Sequence, residues 1–115
     1  MKSLVAATLL SLAAMTGAAL ADPIEGQWRM PSGANATIAS CGAQFCLTYV
    51  DGPNAGRTFG RMTPTGANRY EGTVTDYTRG GREFSGRGTL QGNTLNVQGC
   101  VLGGLICRSQ QLTRS

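Results

Sequence analysis

From residue 25 onward the chain is interrupted about every 8 to 12 residues by Gly, Pro, Asn or Asp, and the stretches between them alternate apolar and polar side chains. A period of two sends successive side chains to opposite faces, which is strand geometry. Runs this short cannot carry the continuous apolar stripe of a helix. The spacing predicts eight strands, over 25–30, 35–40, 45–50, 57–62, 69–77, 82–90, 94–99 and 106–113. Turn chemistry lies between them, in Pro31-Ser32-Gly33, Asp51-Gly52-Pro53-Asn54, Pro64-Thr65-Gly66, Gly80-Gly81 and Gln91-Gly92-Asn93. Sequential antiparallel strands with short links form a meander, and closure removes its open edges. The expected fold class is all-β: a small eight-stranded antiparallel up-and-down barrel, with a two-sheet β-sandwich as the alternative.

Alternation also assigns faces. Ile24, Gly26, Trp28 and Met30 share one side, as do Phe45, Leu47 and Tyr49; Tyr70, Gly72, Val74 and Asp76; Phe84, Gly86, Gly88 and Leu90; and Leu95, Val97 and Gly99. On the last strand Ile106 and Leu112 bring Arg108 and Gln110 inward with them. The inward glycines allow two readings. They leave room for a ligand, or they permit the coiling that closes a small barrel. A barrel of eight strands is just wide enough to be filled by its own side chains or to hold one small ligand.

Ahead of this pattern, Lys2, an apolar or small run from Leu4 to Met15, and Ala19-Leu20-Ala21 before Asp22 have the order of a secretory signal. Cleavage there removes residues 1–21, leaves one domain over 22–115 and takes away the chain's single lysine. The apolar run is shorter than the ~20 residues a membrane span needs, so no integral membrane segment is expected after cleavage. Export predicts a periplasmic or secreted protein.

An oxidising compartment gives the four cysteines, Cys41, Cys46, Cys100 and Cys107, a structural role as disulfides. Four cysteines allow three connectivities. The local pairing, Cys41 with Cys46 and Cys100 with Cys107, needs only that each pair flank one turn, and each such loop would contribute roughly 2 to 2.5 kcal/mol in a loop-closure account. A long-range bridge would restrict the unfolded chain more but would have to join different hairpins. Neither spacing has the form of a redox C-x-x-C or a zinc site.

The residue inventory narrows the chemistry. The chain has no histidine, which rules out Ser-His-Asp and Cys-His nucleophilic machinery. Six carboxylates are available, and alternation places Asp76 inward, where a glycosidase would need an opposed pair. We therefore expect no enzyme, no metal site and no cofactor. The formal net charge of +4 is a mild excess, an ordinary solubility charge, and nucleic acid is not an expected partner after export.

Three segments carry a family resemblance: Asp22-Pro23-Ile24-Glu25-Gly26-Gln27-Trp28, Cys41-Gly42-Ala43-Gln44-Phe45-Cys46, and the run from Gly99 through Cys100, Leu102-Gly103-Gly104-Leu105 and Cys107-Arg108-Ser109-Gln110. In this order they are similar to the bacterial exported proteins of the DUF2147 family. The resemblance extends over essentially all of the chain after residue 21. It departs at Leu112-Thr113-Arg114, where members often read W-T-R, and at the compact 51–57 turn, where many carry an insertion. The resemblance implies a lipocalin-like periplasmic barrel. Gly26-Gln27-Trp28 also resembles the G-x-W start of lipocalin-like barrels, whose tryptophan packs against an arginine of the last strand. Arg108 is the first candidate for that partner and Arg114 the second.

Two functions are compatible with these features. One is binding of a small or lipidic ligand, with Trp28, Tyr49, Tyr70, Asp76, Phe84 and Arg108 as candidate lumen residues. The other is an envelope protein-interaction module, such as a protease inhibitor or assembly factor, that uses the barrel as a frame.

Overall fold

The computed structural model describes residues 22–115; the export segment read over 1–21 lies outside the described residues. The strands are β1 (Gly26–Arg29), β2 (Asn35–Cys41), β3 (Gln44–Tyr49), β4 (Thr58–Gly66), β5 (Arg69–Asp76), β6 (Arg82–Gln91), β7 (Thr94–Val101) and β8 (Ile106–Arg114). Each pairs antiparallel with the next, and β8 returns to β1 to close the barrel. Closure through Trp28–Arg114 and Arg29–Thr113, not a second stacked sheet, joins the first and last strands of this meander.

Turn chemistry acts where expected at Gly80 and Gly81, whose φ angles of 72° and 79° carry the chain from a short 3₁₀ turn (Tyr77–Arg79) into β6. One expected turn is displaced. Pro64-Thr65-Gly66 lies within β4, where the register shifts between Pro64 and Gly66, and the reversal falls at Ala67-Asn68 with Asn68 at φ 60°. A strand accepts proline at such an irregularity because no ladder bond is lost there, and asparagine tolerates the left-handed region that the turn requires.

Alternation places Ile24, Trp28, Ile38, Leu47, Met62, Tyr70, Leu90, Leu95 and Leu112 in one buried cluster inside the barrel. The outward positions carry Arg61, Glu71, Arg87, Ser109 and Gln111 among others, all exposed. Ile106 departs from its expected place. It is 55% exposed because β8 runs beyond the body of the barrel, and with Leu102 and Leu105 it forms an exposed apolar hairpin tip.

The inward glycines are resolved toward close packing. Met62, Gly72, Gly86 and Gly99 sit side by side on successive strands. A Cβ on Gly72 would lie 1.8 Å from the Arg61 carbonyl oxygen, and one on Gly86 would lie 2.6 Å from a Val74 methyl. These glycines let the β4–β6 wall coil tightly and let Met62 and Val74 lean across it.

Both disulfides form within hairpins, Cys41–Cys46 across the β2–β3 turn and Cys100–Cys107 across the β7–β8 turn, with Cα separations of 5.8 and 4.1 Å. All four cysteines have the parity opposite to the core residues of their strands, so the bridges lie on the outer wall and take no volume from the interior. Among the described residues no helix is long and apolar enough to cross a membrane.

Candidate functional site

The barrel has a packed floor and an open mouth. At the floor the segment before β1 folds under the strands. The Asp22 carboxylate accepts from the Ile24 amide at 3.0 Å and the Tyr70 hydroxyl at 2.7 Å, and the Trp28 indole N–H donates to the Ile24 carbonyl at 2.9 Å. Burial, together with this bond to Asp22, pushes the Tyr70 phenol well above its ordinary pKa. Phe45 meets Tyr70 edge to face, with centroids 6.4 Å apart.

The tryptophan's arginine is Arg114, not Arg108. Its guanidinium lies 4.3 Å from the indole centroid and donates to the carbonyls of Glu25 and Pro23. The face assigned to Arg108 was right in parity, but the strand pairing decides the height. Trp28 stands directly opposite Arg114, whereas Arg108 lies six residues further along β8, about 20 Å away at ~3.3 Å per residue. Fully buried Trp28 and its stacked cation thus seal the floor, with the stacking contributing roughly 0.5 to 2 kcal/mol.

Above the floor lies a cavity of about 240 Å³. Tyr49, Phe59, Val74, Phe84, Val97 and Leu112 make its wall, and Asn54, Asp76, Thr78, Arg108 and Gln110 bring polar groups to it. Of the six candidate residues, the fold brings Tyr49, Asp76, Phe84 and Arg108 together at this cavity and leaves Trp28 and Tyr70 in the floor below. Phe59, Val74, Val97 and Leu112 were not singled out from sequence. The parity of Val74, Val97 and Leu112 marked them as inward, but nothing local showed that their height was that of the mouth. Phe59 had no assigned face, and a register shift opposite Leu47 and Thr48 buries it against the parity of Gly60 and Met62.

Local chemistry holds the rim. Asp76 caps the 3₁₀ turn by accepting from the Thr78 amide at 2.9 Å and from its hydroxyl, and Arg79 Nε lies 3.4 Å from its other oxygen. The Thr78 bonds, with the positive charges of Arg79 and Arg108, hold its carboxyl below the usual range against the opposing effect of burial. Tyr49 stacks on Phe59 at 4.3 Å, and burial, aided by the Asp76 charge, raises its pKa. Tyr77 donates to the Thr58 carbonyl at 2.6 Å, and Arg57 lies 5.0 Å from its ring centroid. Among the described residues the Arg108 guanidinium has neither an ion pair nor a hydrogen-bonded partner, so its donors face the cavity uncommitted.

The mouth is also open at the side. An outer groove of about 1060 Å³ runs between β8 (Ser109, Gln110, Gln111, Thr113), the 31–34 turn and the 51–54 loop, and shares Tyr49, Asn54, Thr78 and Gln110 with the cavity. The loop is held by Asp51, which accepts from the Asn35 amide and side chain at 2.8 Å each; these bonds keep its carboxyl low.

A family model described as an uncharacterized protein conserved in bacteria, DUF2147, matches residues 51–114, more than half of the chain. The chain belongs to the DUF2147 family. The matched stretch carries β4 through β8, and with them most of the mouth, while the Asp22–Trp28 and Cys41–Cys46 segments precede it. No curated protein and no solved structure matches the chain.

Proposed function

We propose that this DUF2147 protein is an exported, periplasmic, non-catalytic barrel that binds a small amphipathic molecule in its mouth. The observation that carries this reading is the cavity itself: apolar walls of Phe59, Val74, Phe84, Val97 and Leu112 below a rim with an uncommitted arginine. An apolar hollow with a few convergent polar groups is the usual form of a ligand site, and about 240 Å³ suits a short chain or a single ring more than a large lipid. Asp76 is committed to Thr78 and Arg79, which favours binding over acid–base chemistry at this rim. Export is supported by the signal order of residues 1–21 and by two disulfides, which persist in oxidising compartments. The outward polar, inward apolar alternation is the reverse of that in a barrel embedded in lipid.

Titration of the full chain with hexanol and hexanoate, followed by NMR, tests the ligand reading. Shifts concentrated on Tyr49, Val74, Phe84, Val97 and Gly99, with the Trp28 indole unmoved and the effect lost in Gln110→Trp, are expected. Absence of saturable shifts for both probes, or shifts spread over the outer wall, would overturn it. Mass spectrometry of the protein recovered from the periplasm of its host tests export, since loss of residues 1–21 and four thiol protons is required.

A further inference from the structure

The barrel is closed along only part of its seam. β1 has four residues and pairs with β8 at Trp28–Arg114 and Arg29–Thr113, after which Met30 turns away, its amide donating to Ala34. β8 continues for a further seven residues from Leu112 back to Ile106, held by β7 on one side alone. The Arg114 amide donates to Asn93 on the β7 side and the Ser115 amide to Gln27 on the β1 side. Antiparallel backbone groups alternate in this way along a strand, so Leu112, Gln110, Arg108 and Ile106 give theirs to β7, and Gln111, Ser109 and Cys107 direct theirs into the open seam. Among the described residues, no strand pairs with these three from that side.

We infer that this free edge of β8 is a docking strand for an extended peptide of another protein, which pairs antiparallel with Cys107–Gln111 and completes the seam. An unpaired edge is a template for strand addition, with main-chain bonds supplying affinity and alternate side chains supplying selection. The groove beside Ser109–Thr113 is a recess between β8 and two walls, the 31–34 turn and the 51–54 loop, and so takes a single strand. A second barrel would have to bring its own body into the space those walls occupy.

The side-chain chemistry of the peptide follows from register. Directly opposed residues share a face. The residue opposite Gln110 therefore points into the mouth cavity and should be apolar, to meet Tyr49, Phe84 and Leu112. Two residues later, the one opposite Arg108 should be acidic, because that guanidinium is uncommitted and opposite charges pair favourably across strands. The peptide thus has the pattern apolar-x-acidic. This inference does not rest on a small ligand occupying the mouth, but the apolar anchor would compete with one.

The test uses the full chain and the synthetic hexapeptide Thr-Thr-Leu-Thr-Glu-Thr, with two variants: Lys in place of Glu, and an N-methyl group on the threonine between Leu and Glu. Amide exchange of the peptide-free protein should be fast at Cys107, Ser109 and Gln111 and slow at Arg108 and Gln110. The peptide, at ten times its Kd, should slow the first set about tenfold. The Lys variant should bind about two- to fivefold more weakly, and the N-methyl variant, which loses its bond to Ser109, should not bind. Ser109→Pro should fold, because its amide faces the seam, and should lose the peptide. Exchange without alternation along β8, equal binding of the N-methyl peptide, or failure of Ser109→Pro to fold would each overturn the inference. So would concentration-dependent protection of the same amides in peptide-free protein with a doubled sedimenting mass, which would assign the edge to a second copy.

Discussion

The floor and the mouth are built from the same eight strands and the same alternation, yet one is sealed and the other hollow. At the floor the chain adds an extra piece: Asp22 to Glu25 fold beneath the strands, Trp28 fills the centre, and Arg114 stacks on it while bonding two carbonyls. At the mouth nothing equivalent is inserted. β1 stops after four residues, and the Tyr49, Phe84 and Val97 walls surround space instead of a tryptophan. In a barrel of this width a single large side chain decides between a core and a site. Stability should therefore reside at the floor, and binding at the mouth.

The largest effect that would break this comparison concerns the two aromatic positions. Trp28→Ala should cost about 3 to 5 kcal/mol in urea unfolding because it leaves a cavity under a stranded cation. Phe84→Ala, at a half-buried position on an existing cavity, should cost clearly less and should instead alter hexanol binding. Equal destabilisation by the two would show that the mouth is as much core as the floor.

Of intermediate size is the pair Gly72→Ala and Gly88→Ala. The first puts a methyl against the Arg61 backbone and should cost about 1 to 3 kcal/mol or more, whereas the second meets Tyr70 at 3.5 Å, an ordinary contact, and should cost less than the first. Thermal unfolding of both would locate the wall where the barrel tolerates no added volume.

The smallest expected effect is at the rim. The folded pKa of Asp76 lies below its unfolded value, so its stabilisation is complete above the unfolded pKa, near 4, and fades as pH falls through the folded value. Comparison of wild type with Asp76→Asn should give stability curves separated by a constant gap above pH 4 that closes as pH falls through the folded pKa. The gap should be small, because the carboxylate is partly open to water and its ion pair with Arg79 lies at the solvent-facing rim. A large gap would move Asp76 from the rim into the structural core.

Much of this was legible in the chain. Strand positions, the Gly80-Gly81 turn, the inward parity of Trp28, Leu47, Tyr70 and Leu112, and the local pairing of Cys41 with Cys46 and Cys100 with Cys107 all rest on neighbours a few residues apart. Proline misled at Pro64, because a register shift in β4 absorbs it. Ile106 misled because periodicity marks a face but not where the barrel ends. The site was half legible: Tyr49, Asp76, Phe84 and Arg108 meet at the mouth, while Trp28 and Tyr70 meet the floor.

The sequence alone determined where most strands lie and which faces they present, since period-two alternation and turn chemistry act within a hairpin. It left three cysteine pairings open, of which the folded hairpins select the local one. Tertiary structure alone decided height and closure. Pairing of β1 with β8, strands at opposite ends of the described chain, placed Arg114 over Trp28, lifted Arg108 to the mouth and left the edge of β8 free. No local pattern encodes those outcomes, because the register between the first and last strands is fixed only when the whole sheet has coiled and closed.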